Sequence, residues 1–179
     1  VCQRCGVGVP GAYDVTVVCR RCRESPLAFE QARAPFVYVA AVREAIHAFK
    51  YQGRRRIGRW FAAQMVRIAR EHVAASAVTC VMPVPIHWIK QRFKGFHPAA
   101  ALAHAVAKSL QLPCTLQTLR RARWTPSQTR LTLRQRFRNV EGAFHALRNG
   151  NEHGAVLLID DVMTSGATAH ACALALKDA

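Results

Sequence analysis

Acidic side chains are scarce in this chain. Ten Asp and Glu stand against 26 Lys and Arg, a formal charge of +16 over 179 residues. Long apolar runs are missing as well. No stretch of eighteen apolar residues occurs, which excludes a membrane-spanning helix. No signal-peptide pattern opens the chain. No G-x-x-x-x-G-K-[ST] loop is present, so a P-loop nucleotide triphosphatase is unsupported. Internal repeats and low-complexity tracts are absent too. The chain opens on Val1, not Met, and closes inside a helix-like pattern, so trimming at both ends is expected. A parallel sheet normally gains another strand after a helix such as residues 169–177, which points to truncation at the C-terminus.

Half of the residues are hydrophobic, enough for one ordinary core plus a small appendage. The basic excess has two readings. It is the electrostatic footprint of a protein with phosphate-rich partners, or an Arg-rich composition that keeps the chain in solution. Arginine is scattered along the whole chain, which leaves both open.

Four of the seven cysteines fall in the first 22 residues, as Cys2-x-x-Cys5 and Cys19-x-x-Cys22. Two such knuckles suit tetrahedral zinc, each presenting two thiolates to one ion. Gly6 would relieve the first turn, and Arg4, Arg20 and Arg21 would offset thiolate charge. So short a segment has no apolar core, and metal would supply its folding energy. A redox dithiol or disulfide pair is the alternative. Four thiolates leave no open position on zinc, so a structural ion is expected. Cys80, Cys114 and Cys172 lie among apolar residues and read as small core residues in a reducing compartment.

The most informative stretch is residues 155–168, AVLLIDDVMTSGAT. AVLLI reads as a strand buried on both faces of a parallel sheet. Asp160 and Asp161 fall at its end. Val162, Met163, Thr164, Ser165, Gly166, Ala167 and Thr168 then turn the chain into an apolar helix at 169–176. Backbone N–H groups at a helix start, beside Thr and Ser hydroxyls, make an anion site. Two carboxylates just upstream would repel a bare anion. A phosphorylated ribose satisfies both halves: phosphate at one end, hydroxyls or a bound cation at the other. An ordinary strand–turn–helix with Thr164 or Ser165 as N-cap is the bland alternative.

Elsewhere, residues 25–35 read as a linker holding a short helical piece, SPLAFEQAR. FVYVAA at 36–41 reads as a strand, 42–50 as a helix burying Ile46 and Phe49, and 57–73 as an amphipathic helix. VTCVMPVP at 78–85 reads as a second buried strand halted by Pro83 and Pro85. A basic, aromatic-rich loop follows, with His87, Lys90, Arg92, Lys94 and His97 around Gly95. It would close over a pyrophosphate leaving group, stack single-stranded nucleic acid, or form a plain basic surface. Pro98 opens a helix at 99–110. A short strand or extended segment is expected at 114–119, a helix at 127–140 with Ser127 as a candidate N-cap, a candidate edge strand at 142–147, and a turn-rich loop at 148–154.

LLIDDVMTSGAT resembles the phosphoribosyl-pyrophosphate (PRPP) motif of type I phosphoribosyltransferases. That resemblance implies a phosphoribosyltransferase-like α/β domain over 36–179, a parallel sheet flanked by helices, behind a zinc element at 1–24. It gives Asp160 and Asp161 the ribose hydroxyls and residues 164–168 the 5′-phosphate. Several segments together resemble the ComF (competence protein F) family: the four-cysteine element, AFKYQGR at 48–54, PVP at 83–85, FKGFHPAAALA at 93–103, RRARWTPSQTRL and RFRNVEGAF within 120–144, and the PRPP motif. The family's usual R-G-F-N-Q is here Lys94-Gly95-Phe96-His97-Pro98, and Lys94 lacks the bidentate fork of Arg.

Two functional readings follow from the resemblance. In the first, an enzyme transfers pentosyl groups from PRPP, with Mg²⁺ on the pyrophosphate and Lys90, Arg92 and Lys94 stabilising the departing charge. In the second, a non-catalytic module senses PRPP and binds single-stranded DNA through residues 54–56, 90–94 and 120–123. Both imply a cytoplasmic role in DNA uptake and natural transformation, with the DNA-uptake machinery as partner.

Overall fold

The computed structural model describes residues 1–11, 17–72, 78–89, 92, 95–147 and 154–179. The elements are α1 (Arg20–Glu24), α2 (Ala40–Tyr51), α3 (Arg55–His72), β1 (Val78–Pro83), α4 (Pro98–Leu110), β2 (Leu119–Arg121), α5 (Leu133–Val140), β3 (Phe144–Ala146), β4 (Ala155–Ile159) and α6 (Ala167–Lys177). The chain is mixed α/β, with a parallel strand pair flanked by helices.

β1 is central. It pairs in parallel with β4, from Val78 opposite Ala155 to Pro83 opposite Ile159. Its other edge bridges Cys114 through Val81, which donates to the Pro113 carbonyl and accepts from the Thr115 N–H. Strand alternation then sorts its side chains. Val81 faces a core built from α2, α3 and α4, with Ile46, Phe49, Phe61, Leu102 and Val106. Cys80 and Met82 face a second core with Val140, Phe144 and α6. Both faces of β1 are therefore covered, as its continuous apolar run requires. β2 and β3 form a separate antiparallel pair against α6, with Leu119 opposite Ala146.

Four expectations need correction. Residues 36–41 are not a strand. The Val39 N–H turns back to the Val37 carbonyl at 2.9 Å, a one-residue reversal that breaks the extended path. Phe36 instead stacks on Trp60, and Val37 is left 78% exposed. The piece within 25–33 is not helical, because the Ala28 N–H is drawn to His170 and Leu27 is buried beside the cysteines. The helix expected from Ser127 starts only at Leu133. Thr132 caps it in a reciprocal box with Gln135, a T-x-x-Q signal that outcompetes Ser127. β4 is not buried on both faces: only Ile159 is, and among the described residues no strand lies along its second edge.

α2 and α3 cross at Gly58. A Cβ there would lie 2.3 Å from the Phe49 ring, so only glycine admits this approach. Phe49 is itself held edge-on by Phe96, whose centroid is 5.4 Å away.

Candidate ligand site and metal centre

β4 delivers Asp160 and Asp161 at its carboxyl end, beside the Val84 end of β1. The Val84 N–H continues the pairing by donating to the Ile159 carbonyl at 2.8 Å. The Asp161 N–H donates to Asp160 Oδ1 at 2.8 Å, so the two carboxyls are fixed relative to each other. Their charges are not left alone. Lys50, from the last turn of α2, donates to Asp161 Oδ1 at 2.7 Å in a pair that is about four-fifths buried. Burial first, and the Asp161 carboxylate second, push Asp160 up to about 7, against the pull of Lys50 and Arg121. Arg121 sits on β2, where burial lowers its own proton affinity and Thr125 accepts from its guanidinium.

The loop that follows is held from several sides. Gly166 adopts φ +73° and caps α6. A Cβ at Gly166 would meet Phe29 and Leu27 at ordinary contact distances, so the left-handed backbone, not lack of space, calls for glycine. Ser165, Gly166 and Ala167 are buried, while Thr164 is exposed. Arg136 of α5 donates to the Thr164 hydroxyl at 2.9 Å, and Gln128 donates to that of Thr168 at 3.0 Å. Each hydroxyl, accepting on one side, keeps its own proton to donate to a ligand oxygen. The first N–H groups of α6 lack intrahelical acceptors by construction. Hydroxyl acceptors and anion donors thus meet at one strand end. Val162 packs into the core with α2–α4, and Met163 is half-buried; neither presents a polar group to a ligand.

Among the other expected site residues, Arg92 is exposed. Lys90 and Lys94 lie outside the described residues, as do residues 148–153 of the turn-rich loop. His97 donates through Nε2 to the Val84 carbonyl at 3.2 Å, tying the loop's end to β1. Burial lowers its proton affinity, against the Val84 carbonyl and the Asp161 charge. The sequence marks none of Lys50, Gln128 and Arg136 as a site residue, and marks Arg121 only as part of the basic DNA-binding segment 120–123. Lys50 stood within AFKYQGR, and Arg136 in a run of similar arginines, with nothing local to mark which one faces the loop.

The four N-terminal cysteines converge. Their sulfurs all lie within 4.8 Å of one another, and Cys2, Cys5 and Cys22 are buried. Cys5 and Cys19 Sγ are 3.7 Å apart. Zinc–sulfur bonds of about 2.3 Å place tetrahedral sulfurs about 3.8 Å apart, so the donor set and its spacing fit zinc. Burial works to raise the Cys2 thiol, but N–H donors from Cys19, Cys5 and Arg4 prevail and bring it down to about 6. Burial and the neighbouring thiols push Cys22 up to about 12.

Fold and site together define an α/β protein with a carboxylate pair and a small-residue loop at the end of a parallel strand, carrying a four-cysteine centre compatible with a metal. Sequence comparison places it further: the chain is a distant homologue, along its length, of the competence protein F, ComFC and YhgH family. It is 28% identical over 136 residues to Competence protein F of Haemophilus influenzae, covering 73% of this chain and 59% of that protein. It is 27% identical over 172 residues to DNA utilization protein YhgH of Salmonella typhimurium, covering 94% and 74%. It is 26% identical over 184 residues to Competence protein ComFC of Bacillus subtilis, covering 99% and 72%. No family model and no solved structure matches the chain. Among the described residues, no helix is long and apolar enough to cross a membrane.

Proposed function

We propose that this chain binds PRPP at the end of β4, with the type I phosphoribosyltransferase arrangement, and acts in cytoplasmic DNA uptake. The observation that carries the reading is the meeting of Asp160, Asp161 and the 164–168 loop at one strand end, with Lys50 balancing the acidic pair. Asp160 and Asp161 accept from the ribose hydroxyls, and the start of α6 with Thr164, Ser165 and Thr168 takes the 5′-phosphate. Mg²⁺, carried on the pyrophosphate oxygens and water, would neutralise charge there. Arg92, with Lys90 and Lys94, would face the pyrophosphate if transfer occurs. The names of the relatives, competence and DNA utilization proteins, support the assignment to DNA uptake. Calorimetry of PRPP with magnesium is the test. Asp160→Asn with Asp161→Asn should abolish binding, and an unchanged affinity would sink the sugar site.

A second reading, a single-stranded-DNA-binding module, draws on α3. Arg56, Arg59, Trp60, Arg67 and Arg70 recur at helical spacing and are all exposed. Trp60 is stacked on Phe36 with centroids 4.9 Å apart and planes at 14°, and the residue is 51% exposed. A flat aromatic platform among arginines suits stacked bases and their phosphates.

A further inference from the structure

The 164–168 loop leans on the cysteine element. Arg21 lies between Cys19 and Cys22, on the five-residue helix α1. Its guanidinium donates to the Ser165 carbonyl, 144 residues away in sequence. The same guanidinium lies over the Phe137 ring, 5.4 Å from its centroid. The chain leaving Cys22 packs against the loop. Leu27 is buried with the cysteines and lies, with Phe29, against Gly166. The Ala28 N–H donates at 2.9 Å to Nδ1 of His170, in the first turn of α6.

We propose that the four-cysteine element is a metal-dependent buttress of the ligand loop, with Arg21 as its positioning residue. The inference rests on the PRPP reading above and goes beyond it by linking two sites. The physical chain is short. A metal held by Cys19 and Cys22 sets the two-residue span between them, and so sets where Arg21 points. Arg21 then fixes the Ser165 carbonyl on its own side of the loop. In a planar trans peptide the Gly166 N–H points opposite to that carbonyl, so holding the carbonyl on the Arg21 side aims this one N–H away from the cysteine element. Arg21 also places a full positive charge behind a loop that must accept a phosphate. Without the metal, four clustered thiols have no common centre, and neither α1 nor Leu27 has a fixed seat. Linkage then runs both ways: metal strengthens the phosphate ester's binding, and the phosphate ester strengthens the metal's by the same factor.

The test uses the whole chain loaded with zinc, PRPP–magnesium as ligand, and two readouts. By calorimetry, Arg21→Ala should weaken PRPP roughly tenfold, as loss of a charge-assisted hydrogen bond does. Arg21→Lys should recover part of that loss, since it keeps the charge without the fork or the ring stacking. By transfer of zinc to a chromophoric chelator, PRPP should hold zinc back in the wild type and not in Arg21→Ala. A residue that merely stabilises the fold would not sever this second effect. Zinc-loaded wild type that binds PRPP while Arg21→Ala binds it equally overturns the buttress and leaves the PRPP site standing. Zinc release indifferent to PRPP in a wild type that binds it does the same. Zinc-loaded wild type that fails to bind PRPP overturns both.

Discussion

Asp160 is held in a setting that favours its neutral form, although a ribose is best held by its ionised form. Burial and the Asp161 carboxylate raise it from 3.8 to about 7. Between those values the unfolded chain has released the proton and the folded chain still holds it. Its contribution to stability is therefore full below about pH 3.8 and is lost as pH rises through about 7. Asp160→Asn removes that loss. The variant should be more stable than the wild type near about pH 8, by on the order of 2 kcal/mol, and the gap should close toward about pH 4. Thermal unfolding at both pH values checks this; equal melting near pH 8 would mean that Asp160 ionises at no cost. Ribose hydroxyls donate to a carboxylate, so PRPP affinity should rise with pH through the same window. Lys50 sets where that window lies. Its ion pair with Asp161 offsets one of two adjacent negative charges, and Lys50→Met removes that offset, leaving Arg121 alone to oppose the pair. The affinity-versus-pH curve should then move to higher pH, and an unmoved curve would remove Lys50 from the site. The carboxylates could be found in the sequence because they sit beside an apolar run and a small-residue loop. Lys50 could not, because its partner is 111 residues away and only packing joins them.

At the scale of elements, the meeting of α2 with α3 gives a sharp test of packing against propensity. Gly58 lies inside a helix, where Ala is favoured by about 1 kcal/mol. A Cβ there would enter the Phe49 ring at 2.3 Å, and Phe49 is pinned by Phe96 and is 3% exposed. Overpacking a filled core costs about 1–3 kcal/mol, so Gly58→Ala should lower stability despite the better helix former. Denaturant unfolding measures it, and a stabilised variant would show that Phe49 has room to turn. The same contrast explains which elements were legible. β1, α3, α4 and α6 carry long apolar patterns of one period, and the sequence placed them within a few residues. Residues 36–41 carry a strand-like composition, but the strand was overruled by a backbone reversal at Val39 and by the Phe36–Trp60 stack. α5 starts later than Ser127 suggests, because the reciprocal Thr132–Gln135 box makes the stronger N-terminus. The cysteine knuckles were legible from spacing alone, whereas their seat against Ser165 and His170 depends on contacts more than 140 residues apart in sequence.

For the whole molecule, the formal charge of +16 makes attraction to a polyanion inevitable, so attraction alone cannot identify a DNA surface. Charge and stacking can be separated, because only the first responds to salt. Each phosphate neutralised on a single strand adds about 0.7 to the slope of log affinity against log salt. Arg56 and Arg59 flank Trp60 on the exposed face of α3. If both meet phosphates, Arg56→Ala with Arg59→Ala should reduce the slope by about 1.4. Trp60→Ala should instead weaken binding by about 1–3 kcal/mol, the worth of one base on one ring, and leave the slope unchanged. Fluorescence anisotropy of a labelled oligonucleotide across a salt series reads both quantities. A Trp60→Ala variant that loses slope without losing the salt-independent part would make the ring a support for the arginines. A double arginine variant with the wild-type slope would move the DNA path off α3, toward the basic segment at 120–123.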